Sequence, residues 1–215
     1  MKFIRQTVIC DASVIGDVCA DLLPCAWAIE AGRSPPHWHD PGRLLQGRSH
    51  RNGLAVSFSS GVVLNLNLGT SLIDLVSSPA PWLSPMFGLA LHELIINAVV
   101  HGNLRVASGN SATWSDLSAR QSAILQAMAD PARAGLMVTV ALAWSDDGLE
   151  ATVADEGDGY DPSTVRRAIN ASGRGLQLAR MVGQVETLRG GRQATITVGQ
   201  RAERSPKPGG AQTCG

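Results

Sequence analysis

Two hairpins limit what this chain can fold into more than any other feature of its sequence. Residues 136–144 and 149–154 are strand-like runs joined by Ser-Asp-Asp-Gly at positions 145–148, a turn that connects neighbouring antiparallel strands. A second hairpin is expected between residues 185–189 and 194–198, around a Gly-Gly pair. Strands paired through hairpins exclude a doubly wound parallel fold and favour an antiparallel or mixed sheet.

The other elements follow from hydrophobic periodicity and from end signals. The clearest helix begins with Ser84 as its N-cap and Pro85 at the first helical position, and it is expected to run to about residue 100, with Gly102 as its C-terminal cap. The pattern predicts an α+β protein, a two-layer sandwich of a mixed, mostly antiparallel sheet with helices on one face. The remaining expectations are strands at 3–10, 54–58 and 62–68, and helices at 14–31 (broken by Pro24), 115–130, 174–182 and from Asp161-Pro162.

Charge and hydropathy exclude several classes of function. Eighteen basic and eighteen acidic residues give a net charge of zero, which argues against a nucleic-acid-binding or anionic-membrane-binding surface. The longest apolar stretch, residues 83–100, is interrupted by His92, Glu93 and Asn97, so it predicts no transmembrane helix. No secretory signal is evident, and the four cysteines form no CxxC pair. A cytoplasmic protein with reduced thiols is therefore expected.

The chain divides into three parts by composition. Residues 1–52 are an N-terminal extension of unknown role, residues 53–200 form the main domain with an insertion at about 107–133, and residues 201–215 are expected to be a disordered tail. The extension contains His37-Trp38-His39-Asp40, in which the two histidines can both reach one metal ion. No third or fourth ligand follows at a suitable spacing, so a solvated loop is the favoured interpretation.

A polar stripe runs along the otherwise apolar helix at 84–100. Glu93, Asn97 and His101 are four residues apart, so on an α-helix they share one face. Polar groups on an apolar helix are costly unless they meet water or a ligand. Glutamate can accept a proton, and an asparagine carbonyl is a hard oxygen suited to Mg²⁺. On this segment alone, a hydrated surface helix and a ligand site both remain open.

Two glycine-rich turns carry the other candidate groups. The sequence DEGDG at positions 155–159 directly follows a strand, and its two glycines let the backbone turn sharply and approach a ligand closely. The aspartate that opens this turn can accept a hydrogen bond from an exocyclic amine such as that of adenine. The sequence GRGL at positions 173–176 opens a helix, whose first N–H groups suit a phosphate. Each turn alone is also compatible with an ordinary turn or helix cap.

The order and spacing of the three segments resemble the N, G1 and G2 boxes of the GHKL, or histidine-kinase-like, ATPases. The pattern Glu-x-x-x-Asn-Ala-x-x-His-Gly-Asn, together with DEGDGYDP and GRGLQLAR, is similar to that of the anti-sigma-factor serine/threonine kinase branch. The resemblance covers residues 54–200. It implies a Bergerat-type ATP-binding fold, with residues 53–200 as the ATPase domain and with ATP and Mg²⁺ as cofactors.

The resemblance also implies a role for individual residues. Glu93 corresponds to the catalytic base, Asn97 to the Mg²⁺ ligand, and Asp155 to the adenine-binding aspartate, with residues 160–173 as a short ATP lid. The other residues that it implies around the nucleotide are His101, Gly102 and Asn103 at the end of the N box, Gly157 and Gly159 beside the adenine, and Gly173, Arg174, Gly175 and Leu176 on the phosphate side.

The implied activity is that of an ATP-binding regulatory serine/threonine protein kinase. Its expected partners are a small antagonist protein of the anti-anti-sigma kind, which it would phosphorylate, and/or a sigma factor or similar regulator, which it would sequester; a homodimer is compatible with either. Two alternatives stay open. One is a non-catalytic, anti-sigma-like partner-binding module, and the other is the ATP-binding domain of a histidine kinase. The residues do not name the partner.

Overall fold

A single mixed sheet organises the chain. The structure is a computed structural model that describes residues 6–10, 25–45, 52–77, 83–107, 113–159 and 174–199. Its strands are β1 (Gln6–Cys10), β2 (Cys25–Glu30), β3 (Asn52–Ser59), β4 (Met137–Ser145), β5 (Gly148–Asp155), β6 (Gln184–Leu188) and β7 (Gln193–Gly199). In the described part of the chain they form one seven-stranded sheet in the order β1-β2-β3-β4-β5-β7-β6.

Strand direction within the sheet agrees with the hairpin signals. Strands β1, β2 and β3 are parallel to one another, whereas β3 to β7 pair only antiparallel. Both expected hairpins, β4–β5 and β6–β7, are confirmed. The protein is therefore a mixed α+β protein with a mixed sheet.

Several of the helices begin at a recognisable cap. Those in the described ranges are α1 (Pro41–Leu44), α2 (Ser60–Val63), α3 (Leu68–Ser77), α4 (Pro85–Asn97), α5 (Trp114–Met128), α6 (Pro131–Ala134) and α7 (Arg174–Val182). The Ser84 side chain accepts a hydrogen bond from the Met86 backbone N–H, which confirms the expected cap of α4. Thr113 and Asp116 form a capping box at the start of α5. No helix in these ranges combines the length and apolar character that crossing a membrane requires.

The main core lies between one face of the sheet and helices α3, α4 and α7. Alternate residues of each strand point into it, for example Leu54, Val56 and Phe58 of β3, while α4 contributes Leu91 and Ile95. Since β2 also contributes Ala26 and Ala28 to this core, the strand that precedes β3 belongs to the same packed layer.

The opposite face of the sheet is also partly covered. Ala55, Ala141, Ala143 and Ala154 lie on this face, where their small side chains leave room for Leu44 and Leu45, in and just after α1. Trp27 and Trp38 pack against the same cluster. The expectation that helices lie on one face therefore holds for α3, α4 and α7, whereas α1 and the 3₁₀ turn His37–His39 lie over the other face.

Two sequence-based assignments were wrong in part. Residues 62–68 were expected to be a strand, but α2 ends at Val63 and α3 begins at Leu68. The alternation there comes from leucines that pack on the core from a helical turn, which the Asn65 amide stabilises by donating to the Gly61 carbonyl at 2.9 Å. Residues 25–30 were expected to be helical, but they form β2, because pairing with β1 and β3 outweighs local preference. The expected helices at 14–24 and from residue 161 lie outside the described residues.

Candidate functional site

The helix that carries the polar stripe changes its geometry before it ends. Helix α4 stops at Asn97 and continues as a π-helix, Ala98–Asn103, in which the Leu104 N–H donates to the Val99 carbonyl at 2.8 Å. The expected α-helical end with a Gly102 cap was therefore wrong. His101 lies in the π-helical segment, whereas Asn97 is the last residue of α4. Asn103, at the end of the same segment, is turned into the protein, where its side chain is fully buried.

The end of the π-helix lies directly against the loop after β5. A Cβ atom on Gly157 would overlap the Gly102 carbonyl group, and one on Gly102 would lie 2.5 Å from Oδ1 of Asp155. Both positions therefore accept only glycine without movement of the backbone or the carboxylate. The structure thus brings together two of the sequence-derived segments, the end of the polar helix and the DEGDG turn.

The Asn103 side chain links these two segments to the sheet through hydrogen bonds. Its Nδ2 donates to the Ser60 hydroxyl at 2.8 Å and to the Met137 carbonyl at 3.1 Å, with a longer contact to the Leu136 carbonyl at 3.3 Å. Its Oδ1 accepts from the Glu156 backbone N–H at 2.8 Å. With its donors and acceptor bonded to protein groups, this side chain positions the loop from inside rather than facing a ligand.

Two further contacts at this junction were not expected from the sequence. The Glu156 carboxylate accepts a hydrogen bond from the Met137 backbone N–H at the start of β4. Arg105 and Asp158 form an ion pair at 3.0 Å, with side chains that are 50% and 72% exposed. Because both contacts join residues far apart in sequence, local pattern alone carried no signal for them.

Asp155 is the buried acid of the site. Its side chain is 4% exposed, and its Oδ1 accepts from the Gly157 backbone N–H at 2.9 Å. Burial raises its pKa from the usual 3.8 to about 7, against the opposing effects of the Gly157 hydrogen bond and the Arg192 charge. Within the described residues, Oδ2 accepts no hydrogen bond. The carboxylate therefore keeps an acceptor available for a donor from outside the protein.

Glu93 and Asn97 lie one helical turn apart on α4, and both are half-buried. Neither side chain makes a hydrogen bond or ion pair with the part of the chain that the structure describes, unlike the amide of Asn103. His101 differs from them, because its Nδ1 donates to the Val106 carbonyl at 2.7 Å. Burial lowers the pKa of His101, so the ring is neutral at neutral pH.

The third sequence-derived segment is described only in part. Helix α7 begins at Arg174 and packs against α4, so the helix that follows the glycine-rich turn neighbours the polar helix. Leu176 is half-buried against the main core. Gly173 lies outside the described residues, and of Arg174 and Gly175 only the helical backbone is described. Gly159, in the turn after β5, packs its backbone against the Gly190 carbonyl.

The two alternating histidines of the extension differ in environment: His37 is exposed, whereas the expectation of a solvated loop was wrong for His39. The His39 side chain is fully buried and its Nδ1 hydrogen-bonds to the Thr139 hydroxyl at 2.9 Å, in a chain that continues through Ser57 to the Trp27 indole. Burial lowers the pKa of His39 to about 4, and the nearby Asp155 carbonyl opposes that shift. This histidine is therefore a neutral core residue.

Comparisons with known proteins leave the site to be interpreted from its own geometry. A scan against protein-family models finds no match, and a search of curated protein sequences finds none either. Among the described residues, no group of three or more His, Cys, Asp or Glu side chains is arranged to hold a metal ion.

Proposed function

We propose that this protein is an ATP-binding regulatory serine/threonine kinase of the GHKL type, resembling the anti-sigma-factor kinases. The observation that carries the proposal is the contact of Gly102 with Gly157 and Asp155. That contact joins the end of the segment that resembles an N box to the segment that resembles a G1 box. In a nucleotide site of this type, the first holds the metal and phosphates and the second holds the adenine, so the two must be neighbours.

The chemistry of Asp155 suits an adenine amine. Its Oδ1 is held by the Gly157 N–H, and its Oδ2 is left without a donor from the described residues. An exocyclic amine that donates to Oδ2 would compensate for the burial of the ionised carboxylate. A ligand with a carbonyl at this position, such as guanine, would instead place an acceptor against an acceptor. The site is therefore expected to prefer adenine.

Glu93 and Asn97 suit the phosphate end of the same ligand. The Asn97 carbonyl is the group that would hold Mg²⁺, and Glu93, one turn earlier, would accept the proton of an acceptor hydroxyl. When bound, Mg·ATP supplies the transferable phosphoryl group and neutralises its charge. The protein's own contribution is to position the serine or threonine hydroxyl of a partner, which we propose is a small antagonist protein.

Calorimetric titration of Mg·ATP into the purified protein tests the proposal. The wild type should bind Mg·ATP more tightly than Mg·GTP, and Asp155→Asn should remove that preference. Asn97→Ala should remove the Mg²⁺ dependence of binding. Exposed Asn65 and Asp146 provide matched controls, since Asn65→Ala and Asp146→Asn should bind like the wild type. A wild-type protein that binds no nucleotide would overturn the proposal and leave a partner-binding module as the better account.

Phosphoryl transfer requires a separate measurement. Glu93→Ala should bind Mg·ATP with unchanged affinity and lose transfer of the γ-phosphate to a protein hydroxyl, measured with γ-labelled ATP and phosphoamino-acid analysis. Label on histidine rather than on serine or threonine would favour the histidine-kinase alternative. Transfer that persists in Glu93→Ala would remove Glu93 from the role of base.

A further inference from the structure

A pocket lies where the N-terminal segment meets the β6–β7 turn. It has a volume of about 420 Å³ and is lined by Trp38, Arg189, Gly190 and Arg192. Trp38 packs with the cluster on the face of the sheet opposite α4, so the pocket lies across the sheet from Glu93 and Asn97. It borders the DEGDG turn, where Gly159 packs against Gly190. Its volume falls in the range of small-molecule sites in proteins, roughly 300–1,000 Å³.

The charged side chains that line this pocket are both arginines, and the nearest acidic influence on them is the buried Asp155, whose pKa is raised by burial and lowered by the Arg192 charge. The guanidinium carbon of Arg189 lies 5.7 Å from the centre of the Trp38 ring, in a cation–π contact. Its Nε donates to the neutral amide oxygen of Gln193 at 3.1 Å. Neither Arg189 nor Arg192 forms an ion pair with a carboxylate of the described residues. Two guanidinium groups in one concave surface, with no direct ion pair to a carboxylate of the described residues, favour an anion.

The backbone of the turn keeps the pocket open. Arg189, Gly190 and Gly191 have φ angles of 53°, 64° and 85°, all in the left-handed region. This conformation costs an arginine about 1 kcal/mol or more relative to glycine, so the turn is maintained by its surroundings. At Gly190 a Cβ atom would meet nothing within 4 Å, which means that free space borders the backbone there. The opening therefore has room for a ligand beside the two arginines.

We propose that this pocket binds a small anion that carries a flat ring, such as an aryl phosphate or aryl carboxylate. The anionic group pairs with Arg189 and Arg192, because each guanidinium group can donate two parallel hydrogen bonds to a pair of carboxylate or phosphate oxygens. The ring packs against the indole of Trp38, which supplies the apolar surface. The inference concerns a second site and stands whether or not the protein binds ATP.

Phenyl phosphate is a suitable probe, with inorganic phosphate and phenol as its two halves. Binding to the full chain is followed by calorimetry and by ligand-observed NMR saturation transfer. Phenyl phosphate should bind more tightly than either half, and higher salt should weaken it. Arg192→Gln and Arg189→Gln should each weaken binding about tenfold, the loss expected for one charge-assisted hydrogen bond.

Two control variants distinguish binding in this pocket from non-specific charge attraction and from binding in the nucleotide site. Arg180→Gln removes an exposed arginine on α7, which packs on the other face of the sheet, and should leave phenyl phosphate binding unchanged. Asp155→Asn should not weaken it, because this change removes a negative charge that acts on Arg192. Equal weakening in Arg180→Gln would mean non-specific charge attraction, and loss in Asp155→Asn would locate the ligand in the nucleotide site. Either result would overturn the proposal. The proposal would also fail if inorganic phosphate bound as well as phenyl phosphate, or if the wild-type protein bound no phenyl phosphate.

Discussion

Gly102 lies directly against the carboxylate of Asp155, so closely that a methyl group at Gly102 would be 2.5 Å from Oδ1. That contact joins the π-helix, which ends one residue later, to the strand end that carries the buried acid. Gly157 completes the junction, because a methyl group there would overlap the Gly102 carbonyl. The close approach of Asp155 to the polar helix therefore requires glycine at both positions.

Gly102→Ala is expected to disrupt this junction. The added methyl group must displace the Asp155 carboxylate or the backbone, and such overpacking typically costs about 1–3 kcal/mol of stability. Gly88→Ala is the matched control, because Gly88 is buried in α4 and its nearest non-local atoms would be 3.5 Å away, an ordinary contact. That control should be neutral or stabilising by up to about 1 kcal/mol through better helix propensity.

Urea unfolding at neutral pH measures both glycine variants. Equal unfolding midpoints for Gly102→Ala and Gly88→Ala would contradict the close packing of Gly102 on Asp155. If nucleotide binding is detected in the wild type, Gly102→Ala should also weaken it, whereas Gly88→Ala should not.

Asn103→Ala is expected to be among the most destabilising single changes in the junction. It leaves the Glu156 N–H without its acceptor and the Met137 carbonyl without its donor, and both groups are in or near the buried interior. Each unsatisfied group costs roughly 1–3 kcal/mol, so a total loss of about 3 kcal/mol is expected. Asn65→Ala is the matched control, because the Asn65 amide is exposed and donates only to the Gly61 carbonyl.

The asparagine pair is compared by thermal and urea unfolding. Asn65→Ala should cost less than about 1 kcal/mol. A similar cost for the two variants would mean that the buried network around Asn103 contributes little to stability. Amide hydrogen exchange at Glu156 gives a second reading, since its N–H should lose protection in Asn103→Ala alone.

Elements set by local signals were predictable from the sequence. The β4–β5 hairpin needed only its turn and two apolar runs, and α4 needed only Ser84 and Pro85. Strand β2 could not be predicted, because its conformation depends on parallel pairing with β1 and β3 on either side. The segment at 62–68 was wrongly assigned as a strand for a related reason. Its leucines alternate with polar residues, and this two-residue period can also arise from a helical turn whose side chains pack on the core.

The proximity of two candidate segments was predictable from the sequence, whereas the detailed geometry that joins them was not. The motif order indicated that residues near Asn97 and Asp155 belong together, and the contacts of Gly102 do join these segments. The π-helix was not predicted, because its i→i−5 pattern, seen in the bond from the Leu104 N–H to the Val99 carbonyl, has no residue preference that marks it in the sequence. Without it, Asn103 could not be recognised as a buried anchor rather than a ligand-facing residue.

Asp155 gives the protein a distinctive pH dependence. Its pKa is raised from 3.8 to about 7 by burial, so between these values the folded state binds more protons than the unfolded state. The contribution of this group to stability is therefore fully present below about pH 4 and is lost as the pH rises to about 7. The difference of about three pH units corresponds to at most roughly 4 kcal/mol.

Asp155→Asn removes this titration and keeps the size of the side chain. The variant should be more stable than the wild type at pH 8, and its advantage should shrink as the pH falls towards 5, when the wild-type carboxyl becomes protonated. Asp146→Asn, in the exposed β4–β5 turn, is the control and should follow the wild-type curve at every pH. Unfolding free energies measured at pH 5, 6, 7 and 8 test the assignment, because parallel curves for Asp155→Asn and the wild type would mean that Asp155 does not titrate in this range. A ligand amine that donates to the ionised carboxylate should lower the Asp155 pKa, so nucleotide binding near pH 6.5 should release protons in the wild type and none in Asp155→Asn.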